Sequence, residues 1–120
     1  MNKRMLFIIS EDFRVLESLR AVTSANAYEP KCFRSAEEFL AYLSPRQLGC
    51  VIVDLTDATI HGGALVASMR EQAEKLRSIV LTAGGDQTDW RRLGAFAVLQ
   101  KPCSTAALFE AIEQALCESE

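Results

Sequence analysis

The stretch CVIVDLTD, residues 50–57, sets the problem: a run of mostly β-branched apolar residues suited to full burial ends on a carboxylate, Asp54. Burying an ionised carboxylate without a partner costs several kcal/mol, a large share of the stability of a single domain. The fold must therefore deliver a partner to Asp54.

Outward from this run lie others of the same kind: MLFII before it at 5–9, KCF at 31–33, and SIVLT at 78–82 and FAVLQ at 96–100 after it. They show little alternation, which is the pattern of strands covered on both faces in a parallel sheet. Between them the sequence predicts helices over 13–25, with Val15, Leu19 and Val22 on one face, and over 36–43. Further helices are expected over 63–74, with Leu65, Val66 and Met69, over 87–93, and over 105–117, with Leu108, Ile112 and Leu116. Ser35 with Glu38 forms a capping box, and Ser104 after Pro102 caps the last helix. Strand and helix alternating with short connections give right-handed crossovers. The fold class is α/β, a three-layer, doubly wound, five-stranded parallel sheet in the order 2-1-3-4-5.

Composition supports one domain spanning residues 1–120 and narrows its partners. Nearly half the residues are apolar, 24% are charged, and six glycines and three prolines are too few for a disordered or fibrous chain. The net charge is −3 and the 13 basic residues are scattered, which argues against nucleic-acid contact by this domain. Glu11 and Asp12 follow the first apolar run too soon for a signal peptide or membrane span, so a cytoplasmic protein with no membrane contact is expected. Cys32, Cys50, Cys103 and Cys117 form no C-x-x-C pair and His61 is the single histidine, so they read as free thiols rather than zinc ligands. His61, in TIHGG, reads as a loop residue before a helix.

In such a sheet, ligands bind beyond the carboxyl ends of the strands, at the switch point between the first and third. Those ends carry Ser10, Glu11 and Asp12 after strand one, Asp54 on strand three, Thr82 on strand four, and Lys101 with Pro102 after strand five. Glu11 and Asp54 suit one hard cation, Mg²⁺, which is content with few carboxylates and several waters. Lys101 neutralises Asp54 or binds a phosphoryl oxygen, and the Thr82 hydroxyl donates to the same oxygen. Together these make a phosphoryl-transfer site with Asp54 as nucleophile. Each residue alone also fits a turn, a helix cap or a solvated surface; the weight comes from all of them meeting at successive strand ends. With no Walker loop or G-x-G-x-x-G, the phosphoryl donor is something other than bound ATP. A flavin site is disfavoured because strand one leads into an acidic turn rather than a phosphate loop.

The sequence resembles the response-regulator receiver domains of two-component signalling over nearly its whole length. FIISED matches the acidic turn, FRSAEEFLAYL the second β-α unit, VIVDL the phosphoacceptor strand, IVLTAGGD the switch threonine and VLQKP the lysine. SAEEFL and GGD are closest in wording to receivers of helix-turn-helix transcription factors. The resemblance implies the flavodoxin-like receiver fold and phosphorylation of Asp54 by a sensor histidine kinase or phosphotransfer protein. It implies Mg²⁺ held by Glu11, Asp54 and the backbone carbonyl of Thr56, with Asp12 as a further candidate ligand. Thr82 moves toward the phosphoryl group beside the small Ala83, and Lys101, before a cis bond to Pro102, pairs with its oxygens. It also implies an output domain or partner engaged through residues 86–117, a monomer or a phosphorylation-dependent dimer, and no enzyme activity beyond self-catalysed transfer to and hydrolysis from Asp54.

The chain departs from the family pattern in four places. Ser10 and Glu11 stand where two aspartates are usual, which weakens the cation site. Asp57 and Ala58 replace a Met-Pro pair, and Val98 replaces the aromatic three residues before the lysine, leaving Phe96 or Trp90 as aromatics to recruit. The segment between Asp86 and Gly94 is shorter by about three residues, roughly one helical turn. Trp90, beside Arg91 and Arg92, reads either as an interface anchor or as a core residue. The alternative to a phosphorylated switch is therefore a degenerate receiver, a protein-interaction module that works without phosphoryl chemistry.

Overall fold

The structure is a computed structural model that describes residues 4–55, 60–83 and 88–119, with the side chains at 60, 61, 118 and 119 outside that description. The chain alternates β1 (Arg4–Ile9), α1 (Phe13–Ser24), β2 (Tyr28–Phe33), α2 (Ala36–Tyr42), β3 (Gly49–Asp54), α3 (Ile60–Gln72), β4 (Leu76–Thr82), α4 (Trp90–Leu93), β5 (Ala97–Gln100) and α5 (Thr105–Ser119). The five strands form one parallel sheet in the order β2-β1-β3-β4-β5, as the sequence predicts.

The unbroken apolar runs are explained by burial on both faces. Along β1, Leu6 and Ile8 point into a cluster with Ile52, Ile79, Leu16 and Ile112. Their neighbours Phe7 and Ile9 point the other way, into a cluster with Val51, Val53, Val80, Phe39 and Met69. Successive strand side chains alternate between faces, so a strand with helices on both sides needs an apolar residue at every position. Pro30 sits in β2, an edge strand, where a missing backbone donor is tolerated.

Several boundaries move. The buried stripe of α1 is Leu16 and Thr23, with Leu19 half-buried; Val15 and Val22 flank it rather than centre it. Thr23 is tolerated inside because its hydroxyl donates to the carbonyl of Leu19 at 2.7 Å, satisfying itself within its own helix. α3 begins at Ile60 rather than 63, so His61 lies in its first turn and not in a preceding loop. The early start places Gly62 against the next layer, where an added Cβ would stand 3.0 Å from both Leu55 and Trp90. α4 has four residues, Trp90–Leu93, capped by Asp89, whose carboxylate accepts from the Arg92 amide at 3.2 Å. Trp90 is 3% exposed and packs in the core, which decides against the interface-anchor reading. Val98, opposite Val80 in the sheet, packs against the same cluster as Trp90.

The caps follow expectation with one change. The Ser35 hydroxyl accepts from the Glu38 amide at 3.1 Å and that of Ser104 from the Ala107 amide at 3.1 Å. The Glu38 carboxylate reaches back one residue further than the usual box, accepting from the Arg34 amide at 3.2 Å. The four cysteines are free thiols. Burial pushes the thiols of Cys50 and Cys32 upward. No helix among the described residues is long and apolar enough to cross a membrane.

Candidate functional site

Strand register assembles the site. β1 pairs with β3 so that Ile9 stands opposite Val53, and the next residues on each, Ser10 and Asp54, face one another at the carboxyl edge. Asp54 also pairs with Leu81 of β4, which brings Thr82 to the same edge. The Lys101 amide donates to the Thr82 carbonyl at 2.7 Å, fixing the turn after β5 beside β4. The Lys101–Pro102 bond is cis, as expected.

Both oxygens of Asp54 are engaged. Lys101 Nζ donates to Oδ1 at 2.6 Å, and Ser10 Oγ donates to Oδ2 at 2.8 Å. The Asp54 side chain is shielded from solvent, whereas that of Lys101 is 29% exposed. This answers the question posed by CVIVDLTD: the buried charge meets an ammonium on one oxygen and a hydroxyl on the other. Ser10 is itself buried, and its oxygen also accepts from the Asp12 amide at 3.1 Å, so it is held in place from both sides. The serine thus contacts Asp54 directly, a hydrogen bond that sequence reasoning missed because it depends on the β1/β3 register.

The structure separates the three acidic candidates for a cation. Asp12 serves as N-cap of α1, its Oδ1 accepting from the Arg14 amide at 2.9 Å, which leaves its second oxygen as a candidate donor. Glu11 is exposed, beside Ser10 at the mouth of the site, and its carboxylate makes no hydrogen bond or ion pair among the described residues. The carbonyl of Thr56, Asp57, Ala58 and Asp86 lie outside the described residues. No group of three or more His, Cys, Asp or Glu among the described residues could hold a metal ion. The donors Asp54, the unpartnered Glu11 and the second oxygen of Asp12 fit a hydrated Mg²⁺ with few protein ligands rather than a closed cage. Thr82 is buried at the end of β4 and Ala83 is exposed just beyond it.

Comparison with known proteins places this geometry. Residues 6–113 match the family described as the response regulator receiver domain. The chain is 28% identical over 117 residues to the tetrathionate response regulatory protein TtrR of Salmonella typhimurium, covering 95% of this chain and 57% of TtrR. It is 30% identical over 118 residues to the transcriptional regulatory protein TdiR of Thauera aromatica, covering 96% of this chain and 52% of TdiR. The crystal structure of FixJ-N aligns with a TM-score of 0.84 at 28% identity, covering 97% of this chain and 95% of that one. The chain spans about half the length of the curated relatives it matches. From β1 to α5, then, the sheet order and the family pattern describe the same object, and the chain belongs to the response regulator receiver domains.

Proposed function

We propose that residues 1–120 act as one cytoplasmic receiver domain, the phosphoacceptor of a two-component relay with Asp54 as the reactive residue. The observation that carries this reading is the Asp54 carboxylate held at a strand end between Lys101 at 2.6 Å and Ser10 at 2.8 Å. An Asp54 oxygen attacks the phosphorus of a phosphohistidine on a sensor kinase or phosphotransfer protein. The phosphorus–nitrogen bond breaks, its electron pair stays with the imidazole, and an acyl phosphate forms. The Ser10 contact is the cheaper of the two to open, being neutral, while the charge-assisted Lys101 contact remains to balance the phosphoryl oxygens. The Thr82 hydroxyl lies at the adjoining strand end, within the same edge, as the donor to a phosphoryl oxygen. Mg²⁺ bound by Glu11, Asp54 and the Thr56 carbonyl would supply further positive charge opposite that group.

The phosphorylated domain then presents a changed surface over residues 86–117 to an output domain or partner protein, as a monomer or a phosphorylation-dependent dimer. No enzyme activity is proposed beyond self-catalysed transfer and hydrolysis. TdiR and FixJ are transcriptional regulators by name, and an output of that class for this chain would lie in residues other than these.

A second reading has its own support: Ser10 is neutral where an acid is usual, and Asp54 is already satisfied and shielded, so the domain works as an interaction module without phosphorylation. Incubation with Mg²⁺ and acetyl phosphate, followed by intact mass, separates the two. A single phosphoryl adduct that is absent from Asp54→Asn supports the switch; no adduct at millimolar Mg²⁺ leaves the interaction module.

A further inference from the structure

At the opposite end of the sheet from Asp54, the last turn of α3, the start of β4 and the turn between α4 and β5 border a half-open cavity of about 580 Å³. That volume lies within the range of small-molecule sites, roughly 300–1,000 Å³. Three arginines line it, Arg70, Arg77 and Arg91, against a single carboxylate, Glu74, on a chain whose net charge is −3. None of the three forms an ion pair among the described residues.

Two of the three guanidinium groups are held by backbone carbonyls, and Arg70 and Arg91 are exposed at the rim while Arg77 is half-buried. Arg77 donates to the carbonyl of Glu74 at 3.0 Å and Arg91 to the carbonyl of Phe96 at 3.1 Å. The stem of Arg70 lies across Gly94, whose backbone has φ +123° and where an added Cβ would stand 2.8 Å from the arginine Cδ. Each guanidinium carries five N–H donors, so one bond to a carbonyl leaves most of the fork available for an anion. The rest of the wall is mixed: Met69 and Leu76 are buried and Phe96 is half-buried, and the buried Ser78 adds a hydroxyl beside them. The brevity of α4, four residues, leaves the Gly94–Phe96 turn as the wall on that side.

We propose that this cavity binds a small phosphorylated ligand with an apolar or aromatic body, the phosphates on Arg70, Arg77 and Arg91 and the body against Met69 and Phe96. The site is independent of Asp54 chemistry.

Calorimetric titration of the full chain in EDTA with ADP, and separately with pyrophosphate, tests it. ADP is expected to saturate one site with a dissociation constant below about 1 mM and to bind more tightly than pyrophosphate. Arg77→Gln and Arg70→Gln should each weaken ADP at least about tenfold, while Arg46→Gln, an equal loss of charge outside the cavity, should not. The amide resonances of Gly94 and Phe96 should shift on titration, and acetyl phosphate labelling of Arg70→Gln should equal that of the parent chain. No saturation by either probe up to about 10 mM, equal loss in Arg46→Gln, or equal affinity for ADP and pyrophosphate overturns the assignment. Circular dichroism of each variant identifies any that fails to fold, in which case Arg77→Lys, keeping charge but losing the fork, replaces it with the same expected weakening.

Discussion

Among the described residues two ion pairs tie distant parts of this chain together, and they differ in almost everything else. Lys101–Asp54 joins the turn after β5 to the end of β3, with the carboxylate shielded from water. Arg4–Glu113 joins β1 to α5 across the surface, with side chains 46% and 53% exposed. An exposed pair gains little because water already solvates both charges, whereas a buried one is held against a large desolvation penalty and is missed severely when half of it is removed. The comparison also shows an asymmetry inside the buried pair: Lys101 can turn toward solvent if its partner goes, but Asp54 cannot.

Four substitutions test the contrast, the first by complete loss of labelling and the other three in falling order of stability lost. Asp54→Asn should abolish the acetyl phosphate adduct seen by intact mass, yet change unfolding free energy in urea by no more than about 1 kcal/mol, since the stranded Lys101 can rehydrate. A large destabilisation here would break the asymmetry. Lys101→Ala leaves Asp54 as an uncompensated buried charge and should cost about 2–4 kcal/mol in the same urea titration, somewhat less than a fully enclosed pair because its end of the site is partly solvated. Ser10→Ala removes the hydroxyl that donates to Asp54 and accepts from the Asp12 amide, and should cost about 1–3 kcal/mol by thermal or urea unfolding.

The smallest effect belongs to the surface pair. The Arg4 hydrogen bond holds the Glu113 carboxyl below its ordinary value of 4.5. A folded-state value below the unfolded one means the pair's contribution is complete above the ordinary carboxylate range and is lost as pH falls through the lowered value. Glu113→Gln should therefore lose less than about 1 kcal/mol at neutral pH, shrinking with salt and vanishing in acid. A loss above that, measured by urea unfolding across pH, would show that exposure is the wrong variable for ranking the two pairs.

The buried pair was also the more legible. Asp54 and Lys101 each close a run whose pattern marks a parallel strand, so their meeting follows from topology before any side chain is placed. Ser10 was legible as a departure but not as a partner, because a direct hydrogen bond to Asp54 depends on which residue sits opposite Val53, a register that apolar patterning leaves open by one position. Asp12 shows the same limit: an acidic residue before a helix serves a cation or a cap, and the cap shows only in the backbone at its position, φ −89° and ψ 110°. Trp90 was the hardest to read. Its burial depends on a glycine in another helix, Gly62, that leaves room for the ring, and local periodicity carries no trace of such an arrangement.

That ring gives the domain an optical handle of its own. Trp90 is the single tryptophan in the chain, opens the four-residue α4 and is seated in the core. Under excitation selective for indole, which passes over Tyr28 and Tyr42, this chain's fluorescence therefore comes from one dry site on the seam between α3 and α4. Any event that peels α4 from α3 would wet the indole and move its emission to the red, so an unlabelled sample reports the motion of that helix directly.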